Sequence, residues 1–148
     1  MYWLLSIAIL IGVLATAEDL WRRQISNKTT LGAFTLGLAA QTALYGLKGA
    51  GNALAGTVLG FLVFLVFFLL GGMGAGDIKL MAGFGAVLGA GQTLQAALLT
   101  AIVGALFAVL YLLVRKVKGK SKVDAAEAEA IPYAPAITLG VLLSFAAR

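Results

Sequence analysis

Six apolar segments, separated by short polar stretches, govern what this chain can fold into. They run over Tyr2–Ala17, about Thr29–Leu47, Ala50–Leu70, Ile78–Gly91, Leu94–Val114 and Ile131–Ala147. A helix needs about 20 residues to cross the hydrocarbon core of a bilayer. The second, third and fifth segments meet that length. The first, fourth and sixth are short and call for shielding by neighbours or local thinning of the bilayer. Strands would leave backbone groups unpaired in lipid, so each segment is read as helix. With 61% hydrophobic and 11% charged residues, 148 residues cannot hide this much apolar surface as a soluble domain. The expected fold is all-α: one membrane-embedded helical bundle over residues 1–148, with about six transmembrane helices.

The loops set an orientation. Arg22, Arg23 and Lys28 lie in the first loop, Glu18–Lys28, and Lys79 follows the third, Gly71–Asp77. Arg115, Lys116, Lys118, Lys120 and Lys122 lie in the fifth. The opposite side receives only Lys48 and Arg148. Cytoplasmic loops carry the excess of Lys and Arg, which places loops one, three and five inside and both termini outside. The net charge of +5 is thus an orientation signal, and nucleic acid is not expected as a partner. Ala15-Thr16-Ala17 has the small-x-small form of a signal cleavage site, but the positive charges follow the apolar run, which favours an uncleaved first helix. Gly56-x-x-x-Gly60 and Gly85-x-x-x-Gly89 have the spacing of close helix packing. Tyr2, Trp3 and Trp21 read as interfacial anchors. Residues 119–130 read as a solvated polar loop whose basic part can touch anionic lipid.

The chain contains neither Cys nor His. That excludes thiolate zinc sites, disulfides, Cys nucleophiles and Ser-His-Asp triads. No metal or cofactor is expected. Asp124, Glu127 and Glu129 fall in the polar loop, leaving Glu18, Asp19 and Asp77 at the cytoplasmic ends of apolar segments. Ionisable groups at a membrane boundary are costly and are functional candidates. Two such carboxylates brought together share one proton, so that one serves as general base and the other as general acid. Structural roles compete. Asp19 and Glu18 have helical spacing to Arg22, and Asp19 also to Arg23, for ion pairs. Asp77 follows a glycine run and precedes an apolar stretch, where a carboxylate caps a helix. Gly74 and Gly76 bracket Ala75 just before it, and glycines there permit close approach of another chain. Lys79, two positions on, points away from Asp77 on a regular helix.

GMGAGDIKL, residues 72–80, closely resembles the signature of the type IV prepilin peptidases and the related archaeal preflagellin peptidases, which are membrane aspartic proteases with a Gly-x-Gly-Asp motif. EDLWRRQISN, residues 18–27, resembles that family's first motif, and IPYAPA, residues 131–136, resembles the proline motif opening its last helix. The resemblance implies that Asp19 and Asp77 are the catalytic pair. It implies cleavage, at the cytoplasmic face, of the short basic leader of type IV prepilin or pseudopilin precursors, just before an apolar helix. Arg22, Arg23, Asn27 and Lys79 then support the site or contact substrate, while Pro132, Tyr133 and Pro135 shape the last helix. The short first loop and the lack of Cys depart from larger members that also methylate the new amino terminus, so peptidase activity alone is expected. Competing readings are a Ser–Lys dyad of Ser26 with Lys28 or Lys79, a presenilin-like protease, a small transporter using Asp77, and a non-catalytic assembly subunit.

Overall fold

The computed structural model describes residues 2–117 and 133–147. They form five helical elements: α1 (Tyr2–Arg22), α2 (Asn27–Leu69), α3 (Ala75–Leu88), α4 (Ala90–Val117) and α5 (Ala134–Ala146). Among the described residues there is no strand.

The expected six separate helices are thereby corrected to five elements. The second and third apolar segments are one element, α2, broken at Gly46, where φ is 63° and ψ −147°. Glycine has no β-carbon to resist that conformation. The chain doubles back there: the first half of α2 meets α3 through Gly37 against Val87, and the second through Gly56 against Gly85 and Gly60 against Met81. Along α3 these contacts climb in the first half and descend in the second, so the two halves run in opposite directions.

α3 lies between them. At 14 residues it is about 21 Å long, too short to cross a bilayer by itself. It has no need to, because from Asp77 to Leu88 every residue except Lys79 is buried. Small residues make this possible. A β-carbon on Gly37 would stand 2.6 Å from the Val87 backbone nitrogen, and one on Gly60 2.7 Å from the Met81 oxygen. Both glycine pairs read from the sequence lie in this seam, Gly56 meeting Gly85 and Gly89. Ala8, Ala15 and Ala33 join Phe64, Leu80, Met81, Phe84 and Ile137 in the core.

The surface is the inverse of a soluble protein's. Leu10, Val13, Leu31, Phe61, Leu62, Leu98 and Leu106 are all exposed, and α1, α2 and the 90–110 stretch of α4 are long and apolar enough to cross a membrane. The chain is an integral membrane protein: this apolar exterior is covered by lipid, and the polar backbone is satisfied within helices. Tyr2, Trp3 and Trp21 project from the two ends of α1, 75–87% exposed, as interfacial anchors do.

α5 closes the bundle. It runs opposite to α1, with the Thr16 and Thr138 hydroxyls bonded at 3.2 Å, and opposite to α4, where Gln92 Nε2 donates to Ser144 Oγ at 3.3 Å. The start of α1, the reversal of α2 and the end of α5 thus share one end of the bundle. The end of α1 and the starts of α2, α3 and α5 share the other.

The glycine seam predicts a contrast. Gly60→Ala pushes a methyl group into the Met81 backbone, whereas one at Gly51 meets nothing within 4 Å. Gly60→Ala is expected to lose about 1–3 kcal/mol through overpacking. Gly51→Ala is expected to be neutral or slightly stabilising, as measured by thermal unfolding in detergent.

Candidate functional site

Two carboxylates meet at the end where α1 stops and α3 and α5 begin. Asp19 lies in the last turn of α1, which continues through Glu18–Arg22 instead of stopping at Ala17 as the apolar pattern alone indicates. The first loop is accordingly reduced to residues 23–26. Asp19 is buried, and its Oδ2 accepts a hydrogen bond from the Ala134 N–H at 3.0 Å. That N–H is one of the donors that a helix start leaves without an intrahelical partner. Pro135, next in line, lacks an N–H, so the ring costs the first turn of α5 nothing.

Asp77 stands at the third position of α3. Its Oδ2 accepts from the Gly74 N–H at 3.1 Å, and its own N–H donates to the Gly74 carbonyl at 3.2 Å. The capping role read from the sequence is therefore present. It does not use up the carboxylate, since one oxygen suffices for it. Asp77 is also close enough to Asp19 to feel its charge. The turn supplying Gly74 is tight, with Gly71 at φ 75°. Gly74 itself has an ordinary extended backbone, φ −83° and ψ 158°, so the conformational demand for glycine falls on Gly71.

The electrostatics follow from burial. Asp77 precedes the apolar part of α3, outside the spanning helices, and its carboxyl is pushed up to about 6. Loss of water is the main cause, the Gly74 N–H opposes it, and the neighbouring Asp19 charge adds to it.

The ion pairs considered for this region give way to other partners. The Asp19 carboxylate bonds the start of α5. Exposed Arg22 acts electrostatically on Glu18. Glu18 hydrogen-bonds Ser26 and Thr29, and Ser26 caps α2 by accepting from the Thr29 N–H at 3.2 Å. Lys79 points away from Asp77 and donates to Asn27 Oδ1 at 3.0 Å, tying α3 to the start of α2. With the Ser26 hydroxyl donated to Glu18 and Lys79 on Asn27, the geometry does not assemble a Ser26–Lys79 dyad. Gly76 faces Ile25, and Tyr133 precedes α5 with its ring beside Gly104 of α4. Arg23 occupies the turn with φ 51°. Pro132 lies outside the described residues. Among those described, no three or more acidic side chains gather where they could hold a metal ion.

Sequence reading missed the Ala134 N–H as a partner of Asp19, because a backbone amide has no residue signature. It also missed Ser26 as a helix cap, although a Ser just before a helical stretch is the ordinary signal for one.

Residues 4–109 match the type IV leader peptidase family, and the chain belongs to that family. The matched span contains Asp19 and Asp77 and ends before Tyr133. The prepilin leader peptidase/N-methyltransferase of Legionella pneumophila is 33% identical over 150 aligned residues, covering 97% of this chain and 49% of that protein. The protein of the same name from Bacillus subtilis is 34% identical over 94 residues, covering 62% of this chain and 35% of its own length. The chain spans about half the length of the first relative and a smaller share of the second. No solved structure matches it at a significant level.

Burial of Asp77 has a measurable consequence. Its folded value, about 6, lies above the ordinary 3.8. Between the two the fold binds the extra proton, so this group's contribution to stability falls as pH rises and is level above about 6. Asp77→Asn keeps an acceptor for Gly74 and carries no charge. Its unfolding temperature in detergent is expected to exceed that of the wild type at pH 8, and the gap to close by pH 4.

Proposed function

We propose that the chain is a membrane aspartic endopeptidase that removes the short basic leader of type IV prepilin-like precursors. The observation that carries this is the pairing of Asp19 and Asp77. They come from different helices to one end of the bundle, each with one oxygen held by a helix-starting N–H. The remaining oxygens can share a proton, because two neighbouring carboxylates do not both ionise cheaply.

We assign the shared proton to Asp77, whose carboxyl is pushed up by burial and by the Asp19 charge, and the role of base to Asp19. Asp19 takes a proton from water as its oxygen adds to the scissile carbonyl, and Asp77 gives its proton to the carbonyl oxygen. On collapse one hydroxyl of the diol returns its proton to Asp77, leaving the new carboxyl group, while the C–N bond breaks and the proton held by Asp19 passes to the leaving nitrogen. The cycle needs no covalent intermediate. Family membership and the names of both relatives support a leader peptidase.

The same reading puts the protein in the inner membrane with the acid pair at the cytoplasmic face. Arg22, Arg23, Lys28 and Lys79 lie at the end holding the acids, and Lys48 lies at the far one, the asymmetry expected of cytoplasmic loops. Both termini are then outside. We assign no methyl transfer to this chain: α1 passes into α2 through residues 23–26 alone, leaving no room there for an added cytoplasmic segment, and Cys is absent.

The test is co-expression with precursors bearing a basic leader ahead of an apolar helix. Asp19→Asn and Asp77→Asn, each inserted at wild-type level, are expected to lose at least about 100-fold in processing, the scale of a positioned acid or base. Ser26→Ala is expected to retain cleavage. Processing by either Asn variant at the wild-type rate overturns the assignment.

A further inference from the structure

We propose that Glu18 and Ile25 form a clamp that fixes the separation of Asp19 and Asp77, making both of them positioning residues; this rests on the catalytic reading of the pair. Glu18 precedes Asp19 in α1. Its Oε2 accepts from the Ser26 N–H at 2.9 Å and from the Thr29 hydroxyl at 2.9 Å. Its Oε1 accepts from the Ser26 hydroxyl at 2.9 Å. Three donors from the start of α2 thus converge on one carboxylate at the end of α1. Between these anchor points the chain reverses in residues 23–26, with Arg23 in a left-handed conformation that a β-carbon disfavours.

Ile25 is the part of this turn that reaches α3. It is half-buried against the core and covers Gly76, where an added β-carbon would stand 3.4 Å from Ile25 Cβ and 3.6 Å from its backbone nitrogen. Gly76 immediately precedes Asp77. Contact therefore runs without a break from Asp19 to Glu18 along α1, across to Ser26, to Ile25 beside it, over to Gly76 and on to Asp77. The Lys79–Asn27 bond ties the same two elements on the other side of the turn. Asp19 is held by the start of α5 and Asp77 by the turn at Gly74, and neither anchor refers to the other acid. The clamp links the two through the turn, beside the packing of α1 and α5 against α3.

Two carboxylates that share a proton titrate in two steps, and the steps move apart as the groups approach. The spacing of the acid and alkaline limbs of the kcat/KM profile therefore reports the separation. The other charged or titratable residues on the elements that reach this end include Arg22, Arg23, Lys28, Lys79 and Tyr133, with Arg115 and Lys116 in the last turns of α4. Ile25→Ala leaves all of them, and Glu18, in place, so a change in limb spacing cannot come from altered charge.

The experiment uses the full chain in liposomes, cleaving a precursor peptide with a basic leader. For Ile25→Ala and Glu18→Ala we expect kcat to fall about tenfold or more, as small misplacements of reacting groups do. KM should stay within about twofold, and the two limbs should move closer together. Glu18→Gln keeps an acceptor for Ser26 and should recover most of the rate. If Glu18→Ala does not accumulate as folded protein, Ile25→Ala carries the test. A lowered unfolding temperature with unchanged kcat, or a fall in kcat with unchanged limb spacing, overturns the clamp. Full kcat and unchanged spacing in Ile25→Ala, with both Asn variants inactive, overturns it while leaving the catalytic reading intact. Cleavage by an Asn variant removes the catalytic reading itself.

Discussion

Two helix starts, each offering an unpaired N–H to an acid, organise this molecule. Asp77 takes the Gly74 N–H at the start of α3, and Asp19 takes the Ala134 N–H at the start of α5. A helix N-terminus carries partial positive charge, which favours a carboxylate. One hydrogen bond of this kind fixes the side chain and still leaves an oxygen for chemistry. It is also modest enough that burial dominates at Asp77, where the proton stays bound well above the ordinary carboxylate range. A close ion pair would have done the opposite, holding the acid charged. The exposed placement of Arg22, with Glu18 as the acid its charge acts on, is thus part of what keeps Asp19 available.

The glycine seam serves the same end. α3 is too short to cross a membrane, and its position along the bundle axis is not set by the bilayer. It is set by backbone contact with both halves of α2, at Gly37, Gly56 and Gly60. A bulky side chain at any of these would move the helix that carries Asp77. Packing through glycine has little rotamer freedom to absorb error, so the register of α3, and with it the height of Asp77 beside Asp19, is sharply defined.

Much of this was legible in the chain, and what was not has identifiable physical reasons. The apolar pattern gave the helices, because lipid leaves the backbone few alternatives. It misjudged ends: α1 continues through Glu18 and Asp19 since a helix may leave the hydrocarbon before it stops, and hydropathy reports only the first event. The second and third segments are the two antiparallel halves of α2, and what the pattern left unseen is how tight their reversal is: at Gly46 it needs almost no intervening chain. Elimination left three acids, Glu18, Asp19 and Asp77, and the resemblance to the family singled out the last two. Their proximity was not legible, since it depends on which helix ends meet. The Glu18–Ser26–Thr29 cluster was hidden by a plausible competitor, the helical spacing of Glu18 to Arg22. The turn between α1 and α2 decides that contest: once Ser26 comes back beside Glu18, three donors hold the carboxylate and the exposed Arg22 adds only its charge.

Burial of the acids also sets a limit on how the bundle can be stabilised. A carboxylate removed from water is costly whenever it is charged, and a pair that shares one proton still keeps a charge. The described residues offset this with two backbone donors and no buried cation, which is less compensation than a structural acid would ordinarily find. A protein selected for stability alone would place an amide at one of the two positions. Both positions nevertheless carry acids, at the end of the bundle where α2, α3 and α5 start, and the catalytic proposal gives that cost a purpose that capping alone does not.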